Sequence, residues 1–266
     1  MTRLSAEAFE AVTQLFQQVS GIRLGDHKQA LVTGRLQKLA LEAGEPDLDR
    51  YVARLVSGGA PAQEMTRLID RLTTNETYFF REPQHFNDLA ERLQRHPAGA
   101  PFRVWSAASS SGEEAYSVAM LLADQLGQAP WEVVGTDLST AMVAAAQRGL
   151  YPLERARMVP PEYLKRFCRK GTGVHEGQLL VDQALRQRVS FLPANLMQDL
   201  PALPTFDVIF LRNVLIYFEQ DAKRSIVRRV LGQLKPDGVL YTGHAESLAT
   251  LGLPLRAIAT AVHVHG

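Results

Sequence analysis

Residues 106–117 read SAASSSGEEAYS. Ser106 to Gly112 are all small, and two carboxylates, Glu113 and Glu114, follow at once. Small residues let a ligand lie against bare backbone, and a helix starting behind the loop aims N–H groups at it. The carboxylates narrow the ligand. A dinucleotide would lay its pyrophosphate on that helix N-terminus, where Glu113 and Glu114 would repel it. Neither G-x-G-x-x-G nor G-x-x-x-x-G-K-[ST] is present. S-adenosylmethionine has no phosphate and carries an ammonium and a sulfonium, so a carboxylate beside the loop is an asset. Asp137 closes the next apolar run, where an acid accepts ribose hydroxyls. NAD sites share that feature, so it supports a nucleoside without choosing one. Asn195 and Asn213 close two later runs, as turn residues or as further crevice groups. The competing reading of SAASSSG is a tight turn that holds nothing.

Other groups are less decisive. TTNETYFFRE (73–82) mixes an amide, hydroxyls, aromatics and a guanidinium. Either it caps a helix and packs Phe79 and Phe80 between domains, or it lays Asn75, Thr77 and Arg81 over the crevice. Composition does not separate the two. Tyr217, in VLIYF, reads on its own as a core tyrosine. The seven histidines include no pair at i, i+4, so no metal is expected. His244 and Glu246 are read as stabilising a turn. Cys168 is the only cysteine, which rules out an intrachain disulfide or a thiolate zinc cluster and fits a reducing cytoplasm.

The elements that must position these groups fall into two sets. The chain has 266 residues, enough for two domains, with 46% hydrophobic and 21% charged residues. Its net charge of +1 argues against a dedicated nucleic-acid binder. The N-terminus lacks the apolar core of a signal peptide, and no run approaches the ~18 apolar residues of a membrane span. The first ~70 residues read as four helices: one capped by Ser5 and stopped by Gly21, then HKQALVTGRLQKLALEAG, DLDRYVARLVSG, and one beginning at Pro61. From about residue 100, apolar strands (102–107, 131–137, 188–195, 206–213, 238–243) alternate with helices, which implies a parallel sheet. Residues 255–265 read as one edge strand, and GTGVHEGQLLVDQAL as an inserted antiparallel hairpin.

TNETYFFRE, RVWSAASSSGEEAYS, GTDLS, FDVIFLRNVLIYF and GHAES occur in this order along nearly the whole chain. Together they resemble the CheR-like bacterial chemotaxis receptor methyltransferases. One departure is Ser111, where Thr is more usual; the hydroxyl is kept. The resemblance implies a Rossmann-like α/β methyltransferase domain (73–266), an N-terminal helical domain (1–72) and an inserted β-subdomain at about 157–186. It implies S-adenosylmethionine as cofactor, and receptor glutamates methylated to esters. Cofactor-binding positions would be Asn75, Thr77, Arg81, Glu114, Asp137, Asn195, Leu196, Arg212 and Asn213. Arg81 and Tyr217 would face the reacting carboxylate. Lys28, Arg35 and Lys38, on one side of the second helix, would meet the acidic receptor helices. The turn Gly171–Gly173 would dock a receptor C-terminal peptide. Two other classes remain: a nucleic-acid methyltransferase, though the Asn/Asp-Pro-Pro-aromatic motif of many is replaced by RNVLIYF, and a regulatory module that only binds the cofactor.

Overall fold

The computed structural model describes residues 4–266; positions 1–3 of the expected helical domain lie outside it. Four helices open the chain: α1 (Ala6–Ser20), α2 (Gln29–Glu42), α3 (Leu48–Val56) and α4 (Ala62–Leu72). Ser5 caps α1 by accepting the Ala8 N–H at 3.1 Å, and Gly21 ends it in the left-handed region. Pro61 sits just before α4, at its cap position. Phe16, Val32, Leu36, Tyr51 and Leu68 fill the core of this helical unit, with Leu4 and Leu24 from its flanking segments. The next helix, α5 (Pro83–Leu93), was not expected.

The second unit alternates β1 (Phe102–Ala107), α6 (Glu113–Leu126), β2 (Trp131–Asp137) and α7 (Thr140–Arg148). An insertion follows: β3 (Leu150–Pro152), α8 (Pro161–Phe167), β4 (Cys168–Lys170), β5 (Gln178–Val181) and the single turn α9 (Gln183–Arg186). The alternation then resumes with β6 (Val189–Pro193), β7 (Phe206–Leu211), α10 (Gln220–Leu231) and β8 (Leu234–Thr242). Five strands of the seven-stranded main sheet run in the order β6-β2-β1-β7-β8 and are parallel; the last two strands of the chain continue the sheet antiparallel beyond β8. Its central strands are buried on both faces, as their continuous apolar runs require.

Two expectations need correcting. Residues 255–265 form two strands, β9 (Leu255–Ala259) and β10 (Val262–His265), paired antiparallel. Ala261, at φ 57°, makes the reversal, and a single alanine there is a weak turn signal. The insertion is a three-stranded sheet ordered β3-β5-β4, not a lone hairpin, and its first strand precedes residue 157. Three residues of LYP are too short a run to read as a strand.

The helical unit is fastened over the carboxyl edge of the sheet. Asp70 accepts from Ser139 Oγ at 2.7 Å and Thr140 Oγ1 at 3.1 Å, at the start of α7. Asn195 Nδ2 donates to the last turn of α1, at Val19 O (2.8 Å). Arg35 Nη1 donates to Leu72 O and Thr73 O at 3.0 and 3.1 Å, ending α4. No helix among the described residues is long and apolar enough to cross a membrane.

Candidate active site

From β1 the chain moves outward through β2 to β6, then returns to β7 and moves the other way to β8. Loops leaving β1 and β7 therefore diverge and open a crevice at their carboxyl ends. A cavity occupies it, walled by Ala108–Ser110 after β1, Asp137 and Leu138 after β2, 194–196 after β6 and 212–214 after β7. Residues 72–77 and Arg81 close one side, and Ser20, Ile22, Leu24 and Lys28 of the helical unit form a roof.

The loops are strained where they meet the cavity. Six described non-glycine residues have positive φ, and five of them, Phe80, Glu82, Ala108, Ser110 and Asn213, lie in these loops. Such conformations cost ~1–3 kcal/mol each and persist where the surroundings over-determine them. The Ser117 hydroxyl accepts the Phe80 N–H at 2.9 Å, and the Asp137 carboxylate accepts that of Ser110 at 2.8 Å.

The two glutamates of the loop part company. Successive helical residues point ~100° apart. Glu114 faces the cavity, accepting from Ser106 Oγ (2.7 Å) and Arg212 Nη1 (2.9 Å). Burial raises its carboxyl, and the Arg212 charge pulls the other way. Glu113 is fully buried elsewhere, held by Arg155 (2.5 Å) and Ser111 Oγ (2.7 Å). Sequence pattern shows that the two carboxylates are adjacent, not that they leave the helix on different faces.

The Arg212 side chain is 1% exposed and is the electrostatic centre of the wall. It also reaches Glu82 Oε2 at 3.0 Å and Arg81 O at 2.5 Å. Glu82 Oε1 accepts from Asn213 Nδ2 at 3.1 Å. Burial raises Glu82, but Arg212 and Asn213 outweigh it and hold the carboxyl below its ordinary value. Glu246 accepts the Asn213, Gly243 and Ile216 N–H groups at 2.7, 2.7 and 3.3 Å, so it does stabilise its turn. Glu82 lay within the quoted TNETYFFRE motif, but only the fold shows that it pairs with Arg212.

All ten expected site positions line this one cavity. Asp137 is 7% exposed, its oxygens accepting the Ser110 and Ser139 N–H groups at 2.8 Å each. Burial pushes its carboxyl up to about 6, against the pull of those N–H groups. Arg81 Nη1 is tied to Glu76 O at 2.9 Å, with Tyr78 beneath the guanidinium. Burial raises the Tyr217 phenol, so it keeps its proton at neutral pH. The expected basic face is broken up. Lys28 turns inward over the Tyr217 ring, 5.4 Å from its centre, and Arg35 is spent on α4; Lys38 stays exposed. Charge spacing on α2 could not show that α4 ends beside Arg35.

The cavity suits a nucleoside-bearing cation. Ser109 Oγ is buried in the wall with no hydrogen-bond partner, and the walls carry Asp137 and Glu114 rather than a phosphate cradle. The comparisons agree. The family model described as CheR methyltransferase, SAM binding domain matches residues 75–262. The one described as CheR methyltransferase, all-alpha domain matches residues 7–73. Among curated proteins, the chemotaxis protein methyltransferase of Escherichia coli K12 is 42% identical over 251 residues, covering 93% of this chain and 87% of the relative. Chemotaxis protein methyltransferase 2 of Pseudomonas aeruginosa is 36% identical over 264 residues, covering 97% and 92%. S-adenosylmethionine is the cofactor of this α/β domain, and the chain belongs to the CheR methyltransferase family.

Proposed function

We propose that this chain methylates glutamate side-chain carboxylates of chemotaxis receptors, giving glutamate methyl esters. One observation carries the reading. The cavity offers Lys28, Arg81 and a protonated Tyr217, and neither histidine nor cysteine is among its lining residues. A glutamate has a reference pKa of ~4.3, so it reaches such a site already ionised and needs no base. When bound, S-adenosylmethionine supplies an electrophilic methyl group on a positively charged sulfur. Asp137 would accept the ribose hydroxyls and Glu114 would face the cationic end, with Asn75, Thr77, Asn195, Leu196, Arg212 and Asn213 completing the walls. Arg81 orients the substrate carboxylate with a planar fork, a geometry that lysine lacks. Tyr217 donates a hydrogen bond beside the transfer path. Orientation and exclusion of water supply the acceleration.

A second receptor contact is assigned to the small sheet. β4 is its edge, and Gly171, just beyond, has no room for a side chain: a Cβ there would lie 2.0 Å from His175 O. An added strand from a receptor tail would pair along β4 and raise the local substrate concentration.

The test is incubation with methyl-labelled cofactor and either a receptor cytoplasmic fragment or DNA. Base-labile label on the receptor is expected. Label on DNA, or base-stable label on protein, refutes the reading. Tyr217→Phe should lower turnover while leaving cofactor affinity unchanged; turnover at the parent rate removes the phenol from the chemistry.

A further inference from the structure

Behind Arg212 three groups converge that methyl transfer does not use. Glu82 sits at the N-cap position of α5, His85 lies in its first turn, and His244 enters from the loop after β8. One ligand atom from each lies within 4.8 Å of the other two. His85 Nδ1 and Glu82 Oε2 are 3.6 Å apart. Two ligands on a tetrahedral zinc-class ion sit ~3.3 Å from one another at the usual bond lengths, so this edge is nearly formed.

His85 supplies an independent observation. It is 1% exposed, and neither ring nitrogen has a hydrogen-bond partner. A buried polar group left unpaired costs free energy, and such groups are rare without a role. The ring is held between Tyr241 and His244, with centres 5.1 and 5.0 Å away. His244 is exposed, which gives an ion a route in. The facing charges tolerate a cation. Arg212 is met by Glu82 and Glu114, and Arg92 by Asp88, leaving one carboxylate in excess. Two imidazoles and one carboxylate suit zinc, cobalt or nickel; magnesium and calcium prefer all-oxygen shells.

We infer that Glu82, His85 and His244 bind one divalent cation of the zinc class, with water at the open position. The site shares Glu82 with Arg212, which also holds Glu114. A cation on Glu82 competes with Arg212 and loosens the wall of the cofactor cavity. Metal therefore weakens cofactor binding, and the cofactor weakens metal binding by the same factor. This coupling rests on the cofactor-site reading; the metal binding does not.

The test uses the full chain, treated with chelator and free of cofactor. Titration with Co2+ should give a one-to-one complex with a visible absorption band, displaced by Zn2+. His244→Ala should weaken it by about 100-fold, since a ligand matters at least as much as the groups that orient ligands. His85→Phe, with folding checked by circular dichroism, should do the same, and the exposed control His175→Ala should change nothing. No stoichiometric complex at about 100 μM Co2+, or one that survives both His244→Ala and His85→Phe, overturns the site. If Zn2+ binds but the affinity for S-adenosylhomocysteine is equal with and without it, the coupling falls and the site stands.

Discussion

Asp137→Asn, followed across pH, distinguishes a carboxylate that grips a ribose from one that only folds its loop. Asp137 is pushed by burial from its ordinary 3.8 to about 6. For an acid raised in this way, the associated stability is fully present below the unfolded value and is lost as pH rises through about 6. Above that pH the ionised group costs the free protein roughly 3 kcal/mol, at ~1.4 kcal/mol per pH unit. Hydroxyls donating to the carboxylate favour its ionised form, so cofactor binding recovers part of that cost and needs the proton gone. Affinity then falls by a factor of 1 + 10^(pKa − pH), or about tenfold between roughly pH 7 and 5. Calorimetry with S-adenosylhomocysteine reads this directly. At neutral pH the Asn variant should bind ~10- to 100-fold more weakly, the equivalent of a lost charge-assisted hydrogen bond, and its affinity should vary much less with pH. A flat profile for the parent protein, or the same tenfold fall in the variant, refutes the ribose assignment.

Three further outcomes are expected. Arg212→Ala leaves Glu82 and Glu114 facing each other without their shared cation, and should cost ~3–5 kcal/mol in denaturant unfolding and abolish cofactor binding; a loss below ~1 kcal/mol would show that the pair is not coupled. Arg35→Glu should weaken cofactor binding in calorimetry, because Arg35 holds Leu72 O and Thr73 O just before Asn75, whereas Lys38→Glu should raise only the KM for receptor, more so at low salt. Equal cofactor affinity in the two variants would show that Arg35 is surface charge after all. Deleting residues 171–173 should abolish binding of a receptor tail peptide and leave cofactor affinity intact; if the intact chain binds no tail peptide, the docking site is wrong.

Local pattern carried much of the fold. Strands 102–107 and 131–137 match their apolar runs to the residue, because strands buried on both faces must be continuously apolar. Ser5 and Gly21 bound α1 through capping chemistry that acts over three or four residues. The small-residue loop could be read as a ligand's seat, since short side chains let a ligand lie against the backbone. The edges were harder. The three-residue strand β3 and the β9–β10 turn at Ala261 are held by partners distant in sequence, and neither has a strong pattern of its own.

What the sequence by itself determined is therefore the succession of elements and the chemical types gathered at the strand ends. Tertiary structure alone decided which atoms meet. Glu114 reaches the cavity and Glu113 does not, because adjacent helical positions diverge and the insertion brings Arg155 to the other face. Arg35 and Lys28 turned from surface charge into structure because α4 and the strand-end loops folded against α2. Glu82, His85 and His244 became neighbours only once β8 was laid beside β7. Periodicity and capping operate over a few residues of one chain segment. Ion pairing and metal geometry depend on distances of a few ångströms between segments, and those are set by how the sheet orders its strands.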